Sequence, residues 1–249
     1  MKQYFTSKNK LSILSIALLF GLWILLSMVV DNEIIFPSIF STSKSLVRIV
    51  VSDEFFPTVG ATLIRSIIGF LISVVLAIVL GGLSRMYKAM DAIIQPLVSM
   101  LSSIPIIAII ILALIWLDND IVPIFTGFVM IFPLLYETVV GAIDSMDKKL
   151  LQMARIYDKT GMDLVLYLYM PRIFAALRSI SGSSISTNLK MVIAGEVLSQ
   201  PSYGIGTELQ LQRIYLDTSG VFAWIVVILL ISWGLREFIN HSSQNKIKR

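Results

Sequence analysis

Long apolar stretches separated by short polar connections dominate the sequence. A bilayer core about 30 Å thick requires roughly 20 apolar residues in a helix that crosses it. Six stretches reach this length, at residues 11–30, 60–83, 93–117, 121–143, 174–198 and 219–239. We therefore predict an all-α, polytopic membrane helical bundle with six transmembrane helices, and we treat residues 1–249 as a single membrane domain.

The composition agrees with this pattern. Hydrophobic residues make up 56% of the chain and charged residues 14%, whereas soluble domains carry about 25% charged residues. Lys2, Lys8 and Lys10 precede the first stretch, as in a signal peptide. That stretch is long for a signal sequence and no small-residue cleavage pattern follows it, so we expect a retained first helix.

Basic residues predict the orientation of the bundle. A cytoplasmic N-terminus places nearly all Lys and Arg residues on the cytoplasmic side, as the positive-inside rule requires. The exceptions are Lys44, Arg48, Arg65 and Arg213, which fall outside, and Lys190, which lies within the fifth span. We predict a multi-pass protein of a bacterial-type cytoplasmic (inner) membrane, with the N- and C-termini in the cytoplasm.

Several kinds of chemistry are excluded by residues that the chain lacks. There is no cysteine, and the single histidine, His241, follows the last apolar stretch. Thiolate metal sites and histidine-dependent catalytic triads are therefore excluded. The nucleotide-binding pattern Gly-x-x-x-x-Gly-Lys-Ser/Thr is also missing. We predict a protein that is not an enzyme and that holds no metal or cofactor.

The polar segment 147–171, between the fourth and fifth spans, has a helical pattern of its own. Apolar residues recur at helical spacing, stop at residues 158–161, and resume before Pro171. We predict a helix, a turn and a second short helix outside the bilayer. An apolar helix face with a basic rim either packs on a partner or rests on its own bundle, and both alternatives are open from the pattern alone.

The same segment resembles the EAA loop of binding-protein-dependent ABC transporter permeases. Gln152-Met153-Ala154-Arg155 matches the opening of that loop, and Pro171 matches its end. The resemblance implies a coupling helix that docks on a separate ATPase. Gln152 stands where Glu is usual and Asp158 where the turn glycine is usual, with Gly161 three residues later. The implied coupling residues are Gln152, Met153, Ala154, Arg155, Asp158, Gly161 and Pro171.

Further motifs resemble the importer subfamily for nitrate, taurine, alkanesulfonates and thiamine precursors. They are Phe36-Pro37-Ser38, Thr62-Leu63-Ile64-Arg65 with Gly69, Ile104-Pro105, Phe132-Pro133, and Ala194-Gly195-Glu196 with Tyr203-Gly204-Ile205-Gly206. Residues 112–120 keep Trp116 but lack the subfamily's proline and glycine. The resemblance implies an importer subunit that works with a pair of ABC ATPase subunits, an extracytoplasmic substrate-binding protein and a second copy of itself. The implied substrate is a small anion or, alternatively, a thiamine-pyrimidine precursor.

Polar residues within the fifth span are candidates for the translocation path, namely Asn188, Lys190 and Glu196. An unpaired Lys190 would be costly in lipid, so it faces a cavity, pairs with another helix or subunit, or snorkels to an interface. Glu196 either caps the span in solvent or belongs to an outer gate. We expect Arg65, at the outer end of the second span, to snorkel into the headgroups.

Other features leave their roles open. The outer loop 199–220, with Glu208 and Arg213, either meets a binding protein or is a plain connector.

Prolines within the spans predict kinks or breaks, at Pro96, Pro105, Pro123 and Pro133. Gly69, Ser73 and Ala77 predict close approach by another helix. A secondary transporter or channel without an ATPase is the competing function, although its inverted repeats and midplane acids are not evident.

Overall fold

The computed structural model describes residues 2–157 and 161–244, and these residues form helices without any strand. The helices are α1 (Lys2–Val30), α2 (Ile39–Val51), α3 (Phe55–Met86), α4 (Lys88–Ser103), α5 (Ile106–Trp116), α6 (Val122–Asp144), α7 (Lys148–Ile156), α8 (Met162–Leu164), α9 (Met170–Ser199), α10 (Ile205–Ile214) and α11 (Thr218–Gln244), with a π-helix at Val165–Tyr169. The prediction of an all-α polytopic membrane bundle is confirmed.

The number of membrane spans depends on one bent pair of helices. Among the described residues, 4 helices are long and apolar enough to cross a membrane, and α4 with α5 makes a fifth if the bent pair is one span. The described apolar part of α1, Leu14–Val30, is shorter. The count of six spans therefore stays a prediction.

The third predicted span, residues 93–117, is not a straight helix. It is divided between α4 and α5, which are bent by 105° at Ile104-Pro105. Ile104 has extended backbone angles, because the ring of a following proline disfavours the helical conformation. Pro105 then precedes the first residue of α5 and is the N-cap of that helix.

The other prolines are accommodated in helices. Pro123 lies in the first turn of α6, where the missing N–H costs little, while Pro96 and Pro133 lie inside α4 and α6. Pro171 lies in the first turn of α9, two residues after Tyr169, where the π-helix ends. The wider π turn relieves the clash between a proline ring and the preceding turn. Helical structure therefore continues from Met162 to Ser199, whereas the sequence pattern predicts a separate short helix before the fifth span.

The chain divides into two compact units, and each has its own packing. One unit comprises the residues up to Phe56 with Glu208–Leu229. Within it, the rings of Trp23, Phe36 and Phe222 lie with centroids 5.4 to 6.4 Å apart. The second unit comprises Pro57–Thr207 and the residues from Leu230 onward. Its core is formed mainly by α3, α6 and α9, with buried residues that include Ala77, Ile131, Leu135, Val139, Ile173 and Leu177.

Close helix contacts in the second unit depend on glycine. A Cβ atom at Gly69 would lie 2.9 Å from the Ile124 carbonyl oxygen, so the predicted close approach at this part of α3 is confirmed. A Cβ atom at Gly195 of α9 would lie 2.8 Å from Pro123 Cα. Small residues allow such backbone contacts between membrane helices. Ser73 and Ala77 are buried on the same stripe of α3.

Gly195→Ala tests this contact. Because the added methyl group meets backbone, we expect a loss of about 1–3 kcal/mol in unfolding free energy. Gly141→Ala in α6 is the matched control, since no atom lies within 4 Å of its added Cβ. Thermal unfolding of both purified variants in detergent measures the difference. Equal midpoints for the two variants would contradict the proposed close packing.

Candidate functional site

The described parts of segment 147–171 are helical on both sides of residues 158–160. Its first helix is α7 (Lys148–Ile156), and α8 begins after Gly161. Gly161 has φ 57° and ψ −122°, a conformation that side-chain-bearing residues rarely adopt. Asp158 lies outside the described residues, as does the side chain of Arg155.

Most of the described apolar side chains on this segment remain uncovered. Ala154 is buried, whereas Gln152 and Met153 are exposed. Leu150, Ile156 and Tyr157 are also exposed, and so is Pro171. The alternative in which the segment rests on its own bundle therefore accounts for Ala154 and for Tyr169, which packs against the core, and leaves the exposed apolar side chains unexplained.

An ion-pair cluster lies just before this segment, and the sequence pattern did not reveal it. Arg85 Nη2 donates to Asp144 at 2.8 Å, and Arg85 Nη1 donates to Asp91 at 2.9 Å. The cluster joins the end of α3 to α4 and to the last residue of α6. Arg85 was used only as a cytoplasmic charge in the topology prediction. A single charge in a polar connection carries no signal of its partners.

Glu196 is the centre of a buried hydrogen-bond network. Its carboxylate has no exposed surface. Thr62 Oγ1 lies 2.9 and 3.0 Å from the two carboxylate oxygens, and the Gly206 N–H donates to the carboxylate at 3.0 Å. Thr62 Oγ1 also accepts the Ile205 N–H at 2.9 Å. A Cβ at Gly204 would lie 2.7 Å from the Glu196 carboxyl carbon, so glycine is needed there.

Arg65 provides the opposite charge. Its Nη1 donates to Glu196 at 2.8 Å and to the Tyr203 carbonyl oxygen at 2.6 Å, and its Nη2 donates to Asp120 at 2.6 Å. Arg65 is 8% exposed. The expectation that Arg65 snorkels into headgroups is therefore wrong, and so is the alternative of Glu196 as a solvated cap. Each side chain is retained inside because the other compensates its charge.

We call this the Glu196 network, and it consists of Thr62, Arg65, Asp120, Glu196 and residues 203–206. The sequence indicates each of its motifs separately. Their convergence was not predicted, because Arg65 and Glu196 are separated by 131 residues. The available signal was an acid and a base at the predicted outer ends of two apolar spans.

Asn188 is packed between helices, and its assignment to the translocation path stays a prediction. It is fully buried, and its Nδ2 donates to Ser66 through the carbonyl oxygen at 2.6 Å and through Oγ at 3.0 Å. Its side-chain oxygen would lie 2.6 Å from a Cβ at Gly127. Asn188 therefore connects α9 to α3 beside α6.

Lys190 is the exposed member of the three candidate path residues. It lies on one face of α9 with Ala175, Ser179 and Ser183, all of which are exposed. Ser179 and Ser183 donate their hydroxyl protons to carbonyl oxygens of their own helix, at 2.7 and 2.9 Å. Among the described residues, no ion pair includes Lys190. Besides these small side chains the face carries two cations, the exposed Arg172 near the start of α9 and Lys190, which is unlike a lipid-facing surface.

The segment 199–220 contains a helix, α10, rather than a plain loop. Burial and the negative charge of the neighbouring Glu54 raise the pKa of Glu208. A hydrogen bond from Gln212 lowers it, but by less, so the pKa remains raised. Burial opposes ionisation of Asp217, but hydrogen bonds from Ser219, the Gly220 N–H and Arg48 outweigh it and lower the pKa of that carboxyl group. Asp217 is therefore a charged acceptor at neutral pH.

Arg65→Leu tests the buried ion pair. Removal of one partner leaves the other charge buried, so we expect a loss of about 3–5 kcal/mol in unfolding free energy. Asp120→Asn is the control: the Asp120 side chain is 67% exposed, and such pairs contribute about 0–1 kcal/mol. Adding Glu196→Gln to Arg65→Leu should recover part of the loss. Chemical unfolding in detergent measures all three, and equal effects of Arg65→Leu and Asp120→Asn would contradict this account.

Comparisons with known proteins place the chain in a family. The family model described as "binding-protein-dependent transport system inner membrane component" matches residues 69–236. A relative in Brucella melitensis biotype 1, named as an ABC transporter permease protein, is 27% identical over 223 residues, covering 88% of each chain.

Two further relatives carry permease names. One, from Methanocaldococcus jannaschii, is 25% identical over 238 residues, covering 88% of this chain and 86% of the relative. The other, from Bacillus subtilis, is named for aliphatic sulfonates transport and is 24% identical over 207 residues, covering 81% of this chain and 73% of the relative. The chain therefore belongs to the family of binding-protein-dependent transport system inner membrane components, the permeases of ABC transporters.

Proposed function

We propose that this chain forms the solute path of an ATP-driven importer and is moved by a separate ATPase that docks on segment 147–171. The observation that carries the proposal is the exposed apolar surface of α7, formed by Leu150, Met153 and Ile156 with the adjoining Tyr157. Such a surface on a connection outside the membrane spans fits a protein interface. The proposed partners are a pair of ABC ATPase subunits, an extracytoplasmic binding protein and a second copy of this chain.

Continuous helix provides the mechanical link from the docking segment to the solute path. Helical structure runs for 38 residues from Met162 to Ser199, about 55 Å at 1.5 Å per residue. Gly161 precedes one end, Lys190 lies within the helix, and Glu196 lies near the other end. Displacement of α7 by the ATPase would therefore move Lys190 and the Glu196 network as one body. Alternating access of this kind requires rigid elements around a fixed site.

The orientation follows from the same proposal. The segment that meets the ATPase lies in the cytoplasm, so the Glu196 network lies at the extracytoplasmic end of the bundle. Both termini are then cytoplasmic in an inner membrane.

We further propose that the substrate is a small organic or inorganic anion, such as a sulfonate, taurine or nitrate. Two observations favour this class: Lys190 is an exposed cation on the small-residue face of α9, and one relative is named for aliphatic sulfonates transport. A path at a homodimer interface would present two copies of Lys190. A thiamine-pyrimidine precursor or other vitamin-like solute is the alternative cargo.

Met153→Asp tests the docking of the ATPase. A charge in the apolar surface should weaken the complex by about 2 kcal/mol or more, roughly thirtyfold in affinity. Tyr87→Asp is the matched control, since Tyr87 is an exposed apolar residue at another predicted cytoplasmic connection. Expression together with the genes that flank this one, followed by co-purification of any ATPase and by uptake assays, measures the effect. Retained ATPase in the Met153→Asp sample would count against docking, and a chain that never carries an ATPase would favour a secondary transporter or channel.

Lys190→Gln tests the substrate class. Uptake of radiolabelled taurine, nitrate and an alkanesulfonate into proteoliposomes that contain the whole transporter should fall severalfold, while Lys190→Arg should retain most of it because the charge is kept. Ser183→Ala on the same face is the neutral control. Equal uptake by Lys190→Gln and the unaltered protein would exclude Lys190 from anion selection. Uptake of a thiamine precursor instead of the anions would identify the alternative cargo.

A further inference from the structure

Helix α2 has an unusual arrangement of polar and apolar faces. Thr42, Ser45 and Ile49 form its buried face, so two of the three buried side chains are hydroxyl residues. The opposite face carries Phe40, Val47 and Val51, which are 80%, 63% and 77% exposed. The hydrophobic side chains therefore point away from the described part of the chain, which is the reverse of a helix surrounded by water.

Polar contacts hold α2 in this orientation. Ser45 Oγ lies 2.8 Å from Ser219 Oγ, and Arg48 Nη2 donates to Asp217 at 2.7 Å. Ser38 caps the helix by accepting the Ser41 N–H at 3.1 Å. Rotation of α2 to bury Phe40 and Val47 would break the contacts to Ser219 and Asp217. The exposed apolar face is therefore built into the fold.

The charge of α2 suits a lipid surface. The helix contains Lys44 and Arg48 and no acidic residue. At 100° per residue these two lie about 40° and 80° from Phe40 around the axis, at one border of the apolar face. Basic residues beside a face of Phe and Val are typical of helices that lie in the membrane interface and attract anionic headgroups.

Both ends of α2 are connected to apolar helices. Only Ser52–Glu54 separate α2 from α3, which is long and apolar enough to span a membrane. Before α2, the exposed Ile34 and Ile35 follow α1, and Trp23 Nε1 donates to the Pro37 carbonyl oxygen at 3.0 Å. Trp23 lies within α1, so this bond holds the residue before Ser38, the N-cap of α2, against α1.

We propose that α2 lies in the membrane interface, with Phe40, Val47 and Val51 inserted at the boundary between headgroups and acyl chains. The sequence pattern treats residues 31–59 as a connection outside the membrane. Lipid is favoured over a second copy because lysine is depleted at the cores of protein interfaces, whereas it is common beside the apolar face of an interfacial helix. The proposal is independent of the transported solute.

Spin labelling tests this placement, and the chain has no cysteine to remove. Phe40→Cys and Val47→Cys are labelled singly with a nitroxide in vesicles of phosphatidylethanolamine and phosphatidylglycerol. Asp53→Cys, in the exposed turn after α2, is the aqueous control. Collisions with oxygen, which concentrates in lipid, are compared with collisions with a water-soluble nickel chelate. We expect the nickel-to-oxygen ratio at Phe40 and Val47 to be severalfold lower than at Asp53.

Two results would overturn the proposal. High nickel accessibility at Phe40 and Val47 would place the face in water. Low accessibility to both reagents, with dipolar broadening between labels, would place a second copy on it. Val51→Cys replaces either variant if it does not purify as a monodisperse protein.

Discussion

A carboxylate that has no exposed surface must be compensated, and in this chain the position of Glu196 constrains much of the second unit. Burial of a charge costs several kcal/mol unless an opposite charge and hydrogen bonds replace water. Arg65, Thr62 and the Gly206 N–H provide that replacement. The contacts require α3 and α9 to meet at a fixed register. They also require the turn at residues 203–206 to come close enough that only glycine fits at Gly204.

The helical run that carries Glu196 extends back to Met162 in segment 147–171. The π-helix at Val165–Tyr169 absorbs Pro171, so the chain does not break where a proline would ordinarily end a helix. At Pro105 the outcome is different, because Ile104 takes extended angles and α4 and α5 diverge by 105°. Proline therefore has opposite effects in two parts of this bundle.

Much of the fold follows from local pattern. Apolar length predicted the long helices, and the interruption near Gly161 predicted the turn before α8, because glycine readily takes a positive φ there. Predictions about single charged residues were less successful. Arg65 was expected in headgroups and Glu196 was considered as a solvated cap, since hydropathy weighs each segment against lipid or water alone. Such a comparison takes no account of a partner side chain from another segment.

The sequence by itself determined the all-α membrane class, the absence of a nucleotide-binding loop, and the two helical parts of segment 147–171. These depend on apolar length, residue type and local backbone preference, which are all short-range properties. Only the tertiary structure decided that Arg65 meets Glu196, that Lys190 stays exposed while Asn188 is buried, and that α2 turns its hydroxyl face inward. Those outcomes depend on which distant side chain contacts each buried polar group. The packing of the helices determines that partner, and no local pattern contains it.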